Sequence, residues 1–238
     1  GDNNHALLVG QDGGLWSVGS GQDGKTGHGD EQTRSVPTRV VALAKERVVC
    51  VSAGYSHSLV LVQRGAVFSF GRGGDGRLGH GDTVNRSTPK WVEGLANERV
   101  VAVAAGRAHS MAATAEGRVY TWGRGANARL GHGDGTDQHT PKLVEALVKE
   151  RVVSVAAGWT HSVMVVASGR VYTCGRGRYG ALGHGDEANQ SAPKLVGALA
   201  GEQVVDVSTG SAHTTAVTVD GRVFSWGRGN SGRLGHGD

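Results

Sequence analysis

The chain has 238 residues, room for one substantial core, with 25 Lys plus Arg against 21 Asp plus Glu and a formal net charge of +4. So mild a charge does not mark a nucleic-acid binder, two cysteines cannot form a disulfide framework, and no apolar run approaches the roughly 20 residues of a membrane span. The expectation is an intracellular protein, cytoplasmic or cytoskeletal with the nucleus as the alternative, that works away from membranes.

Glycine is the outlier, 41 residues where about 7% of a chain is usual. Reading along the chain shows why. The opening GDNNHALLVG (1–10) aligns with AGYSHSLVLV (53–62), so the sequence starts inside a unit. The loop GSGQDG (19–24) runs into TGHGD and on to Pro37. From there the features recur. GHGD starts at Gly27, Gly79, Gly131, Gly183 and Gly235, each 52 residues after the last. Pro37, Pro89, Pro141 and Pro193 keep that spacing. So do two histidine series, His5, His57, His109, His161, His213 and His28, His80, His132, His184, His236, with only His139 left over. A fixed period of this size means stacked copies of one supersecondary unit.

GRGGDG (71–76), GRGRYG (175–180) and GRGNSG (227–232) match the dinucleotide fingerprint G-x-G-x-x-G, as does the first loop. A dinucleotide site needs one such loop, opening a helix that receives the phosphates. Here every unit carries the loop or its relaxed form GRGANA (123–128), and no helical apolar pattern follows. The glycines are turn residues, and no cofactor is expected.

Within the unit from residue 150, ERVVSVAAG (150–158) is a β-branched strand that shrinks to Ala and Gly, suited to a crowded place where strands converge. HSVMVVASG (161–169) is a second strand ending in a turn. RVYTCGRG (170–177) alternates, Val171 and Thr173 on one face, Tyr172 and Cys174 on the other. The matching columns hold Phe68 and Phe70, Tyr120 and Trp122, Phe224 and Trp226, aromatics expected to be buried between units. PKLVGAL (193–199) reads as a short strand opened by proline and therefore outermost. Four short strands per unit and no useful helix predict an all-β propeller over residues 1–238, about five four-stranded blades.

The combination A-G-x-x-H-S, G-R-V-Y-T-W-G-R-G, G-x-L-G-H-G-D and P-x-x-V resembles the regulator of chromosome condensation repeat family. The resemblance spans the whole chain. It implies a seven-bladed ring used as a protein-interaction platform. In individual members it implies nucleotide exchange on a Ran-type GTPase, ultraviolet-B perception, or service within larger ubiquitin ligases, kinases and cytoskeletal proteins. With about 4.6 periods visible, the expectation is part of a longer chain or complex, aggregating or oligomeric when expressed alone.

Catalytic and metal sites are not expected. Histidines one blade apart diverge around a ring, whereas zinc needs ligands about 2.0–2.3 Å from one ion. The expected roles are structural, one series bonding backbone between blades and the other pinning the Gly-rich turn. Ser58, Ser110 and Ser162 follow histidines in blade after blade, unlike a singular active site. Arg72, Arg124, Arg176 and Arg228 occupy one column, and Arg77, Arg129 and Arg233 a second broken by Ala181. Both should crown one rim and bind an acidic protein partner, unless each neutralises Asp82, Asp134 or Asp186 of its own loop. Glu46–Arg47, Glu98–Arg99 and Glu150–Arg151 read as solvated pairs. The column Asn3, Tyr55, Arg107, Trp159, Ser211 holds a single tryptophan, too few for a photoreceptor cluster. Uniform 52-residue copies leave no room for an exchange wedge, so the expected function is a non-catalytic scaffold, with nucleotide exchange on a small GTPase as the alternative.

Overall fold

The computed structural model describes residues 4–237. Asn3, the first member of the variable column, lies outside the described residues. Blade 1 comprises β1 (His5–Val9), β2 (Leu15–Gly19) and β3 (Arg34–Arg39). Blade 2 runs through β4 (Val48–Ala53), β5 (His57–Val62), β6 (Val67–Gly71) and β7 (Arg86–Trp91). Blade 3 repeats this with β8 (Val100–Ala105), β9 (His109–Thr114), β10 (Val119–Gly123) and β11 (Gln138–Leu143). Blade 4 follows with β12 (Val152–Ala157), β13 (His161–Val166), β14 (Val171–Gly175) and β15 (Gln190–Leu195), and blade 5 with β16 (Val204–Thr209), β17 (His213–Thr218) and β18 (Val223–Gly227). Every sheet is an antiparallel meander in chain order, and the connections carry only single 3₁₀ turns among the described residues. The chain is an all-β propeller fold.

The first strands of blades 2 to 5 converge, and Ala53, Ala104, Ala105, Ala156 and Ala157 line a common central cavity. This crowding is what the small residues anticipated. The second strands are buried on both faces, because each side chain parity serves a different neighbour. Val60 and Val62 pack with blade 1 around Phe70, while Leu59 and Leu61 pack with blade 3 around Trp122. The cores thus lie between blades, and each buried aliphatic side chain contributes about 1.5–3 kcal/mol. On blade 5, Val223 is 69% exposed where its counterpart Val171 is fully buried between blades.

Two expectations need correction. The outer strand is not opened by its proline: β15 starts at Gln190, and the tail of PKLVGAL turns into a 3₁₀ segment, Gly197–Leu199. Pro193 falls where the β14–β15 register shifts, between the pairs Thr173↔Lys194 and Gly175↔Gln190. An edge strand with a broken ladder does not need the missing N–H. Nor are the aromatic columns uniformly buried. Phe70 and Trp122 are fully enclosed, but Phe68, Tyr120, Tyr172 and Trp226 are half-buried. The Tyr120 hydroxyl reaches out to Glu98 at 2.7 Å, keeping its polar end at the surface.

Candidate functional site: an arginine-rich face

The functional geometry rests on two hydroxyl clasps. In the first, His57 Nε2 lies 2.9 Å from Ser110 Oγ of the next blade, and that hydroxyl donates to the Arg77 carbonyl at 2.7 Å. With the hydroxyl proton committed to the carbonyl, the ring nitrogen must be the donor. His5–Ser58, His109–Ser162 and His161–Thr214 repeat the link. The histidines therefore bond a side-chain hydroxyl, not the backbone that the sequence suggested. Burial, with the Arg77 charge adding, holds His57 well below the ordinary 6.5, and burial lowers His161 to about 4. In the second clasp His80 Nε2 meets Ser69 Oγ of its own blade at 3.0 Å, and Ser69 donates to the Leu78 carbonyl. This pins the Gly-rich turn as expected.

The pinned turns, together with the short loops after each first strand, form one face. There Tyr55, Arg72, Arg107 and Arg124 line a single cleft of about 300 Å³. Arg176 and Arg228 line a second, of about 230 Å³, with Trp159, Arg178 and Tyr179. Arg107 reaches both clefts and stacks on Trp159 at 4.8 Å and Tyr55 at 5.5 Å. The predicted arginine column is thus brought together as two pairs bridged by Arg107. Sequence reading missed Arg107, which sits in the variable column Tyr55, Arg107, Trp159, Ser211. That those residues sit in loops facing the same way as the Gly-rich turns was the available signal.

The second column behaves differently. Arg77 and Arg129 are 5% and 3% exposed and point inward. Arg77 Nη1 donates to the Arg107 carbonyl, and Arg129 Nη1 to the Trp159 carbonyl at 2.8 Å, tying each turn to the next blade. Blade 4 has Ala181 here, and that alanine lines the second cleft. In blades 2 and 3 the second column is a buried strut, not an exposed crown, while Arg233 of blade 5 is half-buried and donates from Nε to the Asn230 carbonyl of its own turn.

Charge pairing divides the two faces. On the opposite face Arg64, Arg118 and Arg170 pair with Glu46, Glu98 and Glu150 at 2.9, 3.1 and 2.8 Å, and Arg222 pairs with Glu202. These glutamates therefore choose the arginine across the turn, not the Arg47, Arg99 or Arg151 beside them in sequence. On the clefted face Arg72, Arg107, Arg124, Arg176, Arg178 and Arg228 form no ion pair among the described residues. The GHGD aspartates do not neutralise them either. Asp82 pairs with Arg86 at 2.6 Å, and Asp134 and Asp186 accept from the backbone N–H two residues on. The six uncompensated guanidiniums make this face strongly positive, suited to carboxylate-bearing ligands.

Comparison with known proteins agrees with this architecture. A family model described as the regulator of chromosome condensation (RCC1) repeat matches residues 12–61, 64–113, 116–165 and 168–217. The chain is 40% identical over 223 residues to the ultraviolet-B receptor UVR8 of Arabidopsis thaliana, covering 93% of this chain and 51% of the receptor. It is 40% identical over 235 residues to human E3 ubiquitin-protein ligase HERC2, 97% of this chain but 5% of the ligase. Among solved structures, human WBSCR16 superposes with a TM-score of 0.89 at 29% identity, covering 98% of this chain and 62% of that one. Prp20p of Saccharomyces cerevisiae gives a TM-score of 0.84 at 23% identity over 99% of this chain and 59% of its own. The chain therefore spans about half of the receptor and a small part of the ligase.

Proposed function

The chain belongs to the regulator of chromosome condensation repeat family, and on that premise we propose that it is a non-catalytic, intracellular docking module whose arginine-rich face holds an acidic surface of a protein partner within a larger assembly. The observation that carries this reading is the asymmetry of charge: one face pairs its arginines with glutamates across the blade turns, while the other leaves six without an ion pair among the described residues around two clefts. Prp20p, whose structure was described with its binding properties to Gsp1p and histones, is an instance of the fold meeting protein partners.

A non-enzyme role fits the state of the hydroxyls. Ser58, Ser110 and Ser162 are fully buried, and each spends its proton on a carbonyl of the preceding blade. A serine whose proton is directed away from its histidine is not an activated nucleophile. Ultraviolet-B perception is not carried over from the receptor, because Trp159 is the one tryptophan among Tyr55, Arg107, Trp159 and Ser211.

Affinity capture from the native source with mass spectrometry tests the proposal, comparing the wild type with a variant in which Arg72, Arg124, Arg176 and Arg228 are all changed to Glu. The expected result is an acidic partner retained by the wild type and lost by the variant, whose thermal unfolding is unchanged. Equal capture by both would contradict the reading. Accelerated nucleotide release from a Ran-type GTPase would replace it with the exchange reading.

A further inference from the structure

Blades 1 and 2 follow one rule at the tip of the Gly-rich turn: an aspartate in the left-handed region, then a buried cation two residues on. Asp23 precedes Lys25, and Asp75 precedes Arg77, whose Nη2 it meets at 2.6 Å. Blade 3 keeps the backbone, with φ of +60° at Asn127 against +58° at Asp75, and keeps the cation as Arg129. It drops the carboxylate. Arg129 is 3% exposed and makes the same main-chain bonds as Arg77, from Nε to Ala126 and from Nη1 to Trp159. Its Nη2, the atom that carries the ion pair in Arg77, has no partner among the described residues.

Arg129 therefore has no direct ion pair among the described residues, and Asp75 and Asp137 act on it only through space, which offsets part of the cost of burying its charge. Burial, with Arg124 beside it, lowers the Arg129 pKa to about 10. The residue lines the cleft that also holds Arg72, Arg77, Arg107 and Arg124, where the one carboxylate is Asp75, already engaged by Arg77. Five guanidiniums thus line the cleft with one aspartate, and Asp137, which accepts from Gly125 N–H, is the further carboxylate near Arg129. Stacking on Tyr55 and Trp159 orients Arg107 at its edge, so the positive charge is held in place before any ligand arrives.

We propose that this cleft is a carboxylate pocket, in which an Asp or Glu side chain of an acidic partner segment takes the place that Asp75 fills in blade 2 and completes the pair with Arg129. The pocket rests on the docking reading above and names its anchor.

Restoring the repeat's own rule tests the pocket. Asn127→Asp supplies the counter-ion from within, on a backbone that already accepts Asp in blades 1 and 2. Asn127→Gly removes the amide without adding charge. Fluorescence anisotropy with a labelled hexaglutamate peptide should show binding to the wild-type protein, similar binding to Asn127→Gly, and at least about tenfold weaker binding to Asn127→Asp. The Asn127→Asp protein should melt no lower than the wild type. Undiminished binding by Asn127→Asp overturns the pocket, and if the four-arginine reversal still abolishes binding the docking reading survives it. Loss of binding in Asn127→Gly, failure of the wild type to bind hexaglutamate, or binding of inorganic phosphate in its place also overturns it.

Discussion

At the scale of single residues, the clasp hydroxyl between blades has two obligations. Ser110 accepts from His57 and donates to the Arg77 carbonyl, and all three groups lie in the interior. Ser110→Ala leaves a buried donor and a buried acceptor unsatisfied, an expected loss of about 2–4 kcal/mol in urea unfolding. Ser110→Thr should cost far less, because blade 5 already uses Thr214 for the same link. The histidines add a pH dependence. An unfolded imidazole takes up its proton near 6.5, whereas in the folded chain burial delays this to about 4 for His161 and for His5, and holds His57 and His109 well below their ordinary value too. Between those values the unfolded state binds more protons. The clasp contribution is therefore complete above pH 6.5 and drains away as pH falls towards 4, by about 3 kcal/mol for His161 alone. Unfolding free energies measured from pH 7 to pH 4.5 should fall steeply, and a flat profile would refute the neutral, donating histidines.

At the scale of elements, the GHGD turn explains its own spelling. Gly79 has φ +81°, and a Cβ there would sit 2.9 Å from the indole nitrogen of Trp122 in the next blade. Gly133, the second glycine of the following turn, has φ +89° but open space around it. Gly79→Ala should therefore cost about 2–4 kcal/mol, combining left-handed backbone with overpacking, and Gly133→Ala only about 1–2. Equal shifts in their urea midpoints would contradict the account.

Period and strand count were legible because stacked repeats write every contact once per unit. The proline strand was misplaced because its true start, Gln190, carries no β-branched signal, and pairing with β14 overrides that. The Glu46–Arg64 pairing was hidden because its partners lie 18 residues apart, before one strand and after the next, while Arg47 lay adjacent in sequence. In the candidate site, the column of Arg72, Arg124, Arg176 and Arg228 was visible as a column. Its separation from the buried Arg77 and Arg129 was not, since equal spacing says nothing about which side chain turns inward.

At the scale of the whole molecule, charge is sorted between two faces. The paired face contributes little to recognition, as exposed ion pairs are worth at most about 1 kcal/mol. The clefted face should attract an acidic partner over a distance, so association should slow as salt rises. Raising ionic strength from about 0.05 to 0.5 M contracts the screening length several-fold, and a salt-independent association rate would argue for an apolar interface instead. Amide hydrogen exchange of the chain with and without its captured partner tests the docking face most directly. The structure predicts protection in the loops 54–56, 72–77, 106–108, 124–129, 158–160 and 176–180, on the arginine-rich face. Protection confined to the opposite turns at 63–66, 115–118 and 167–170 would contradict it.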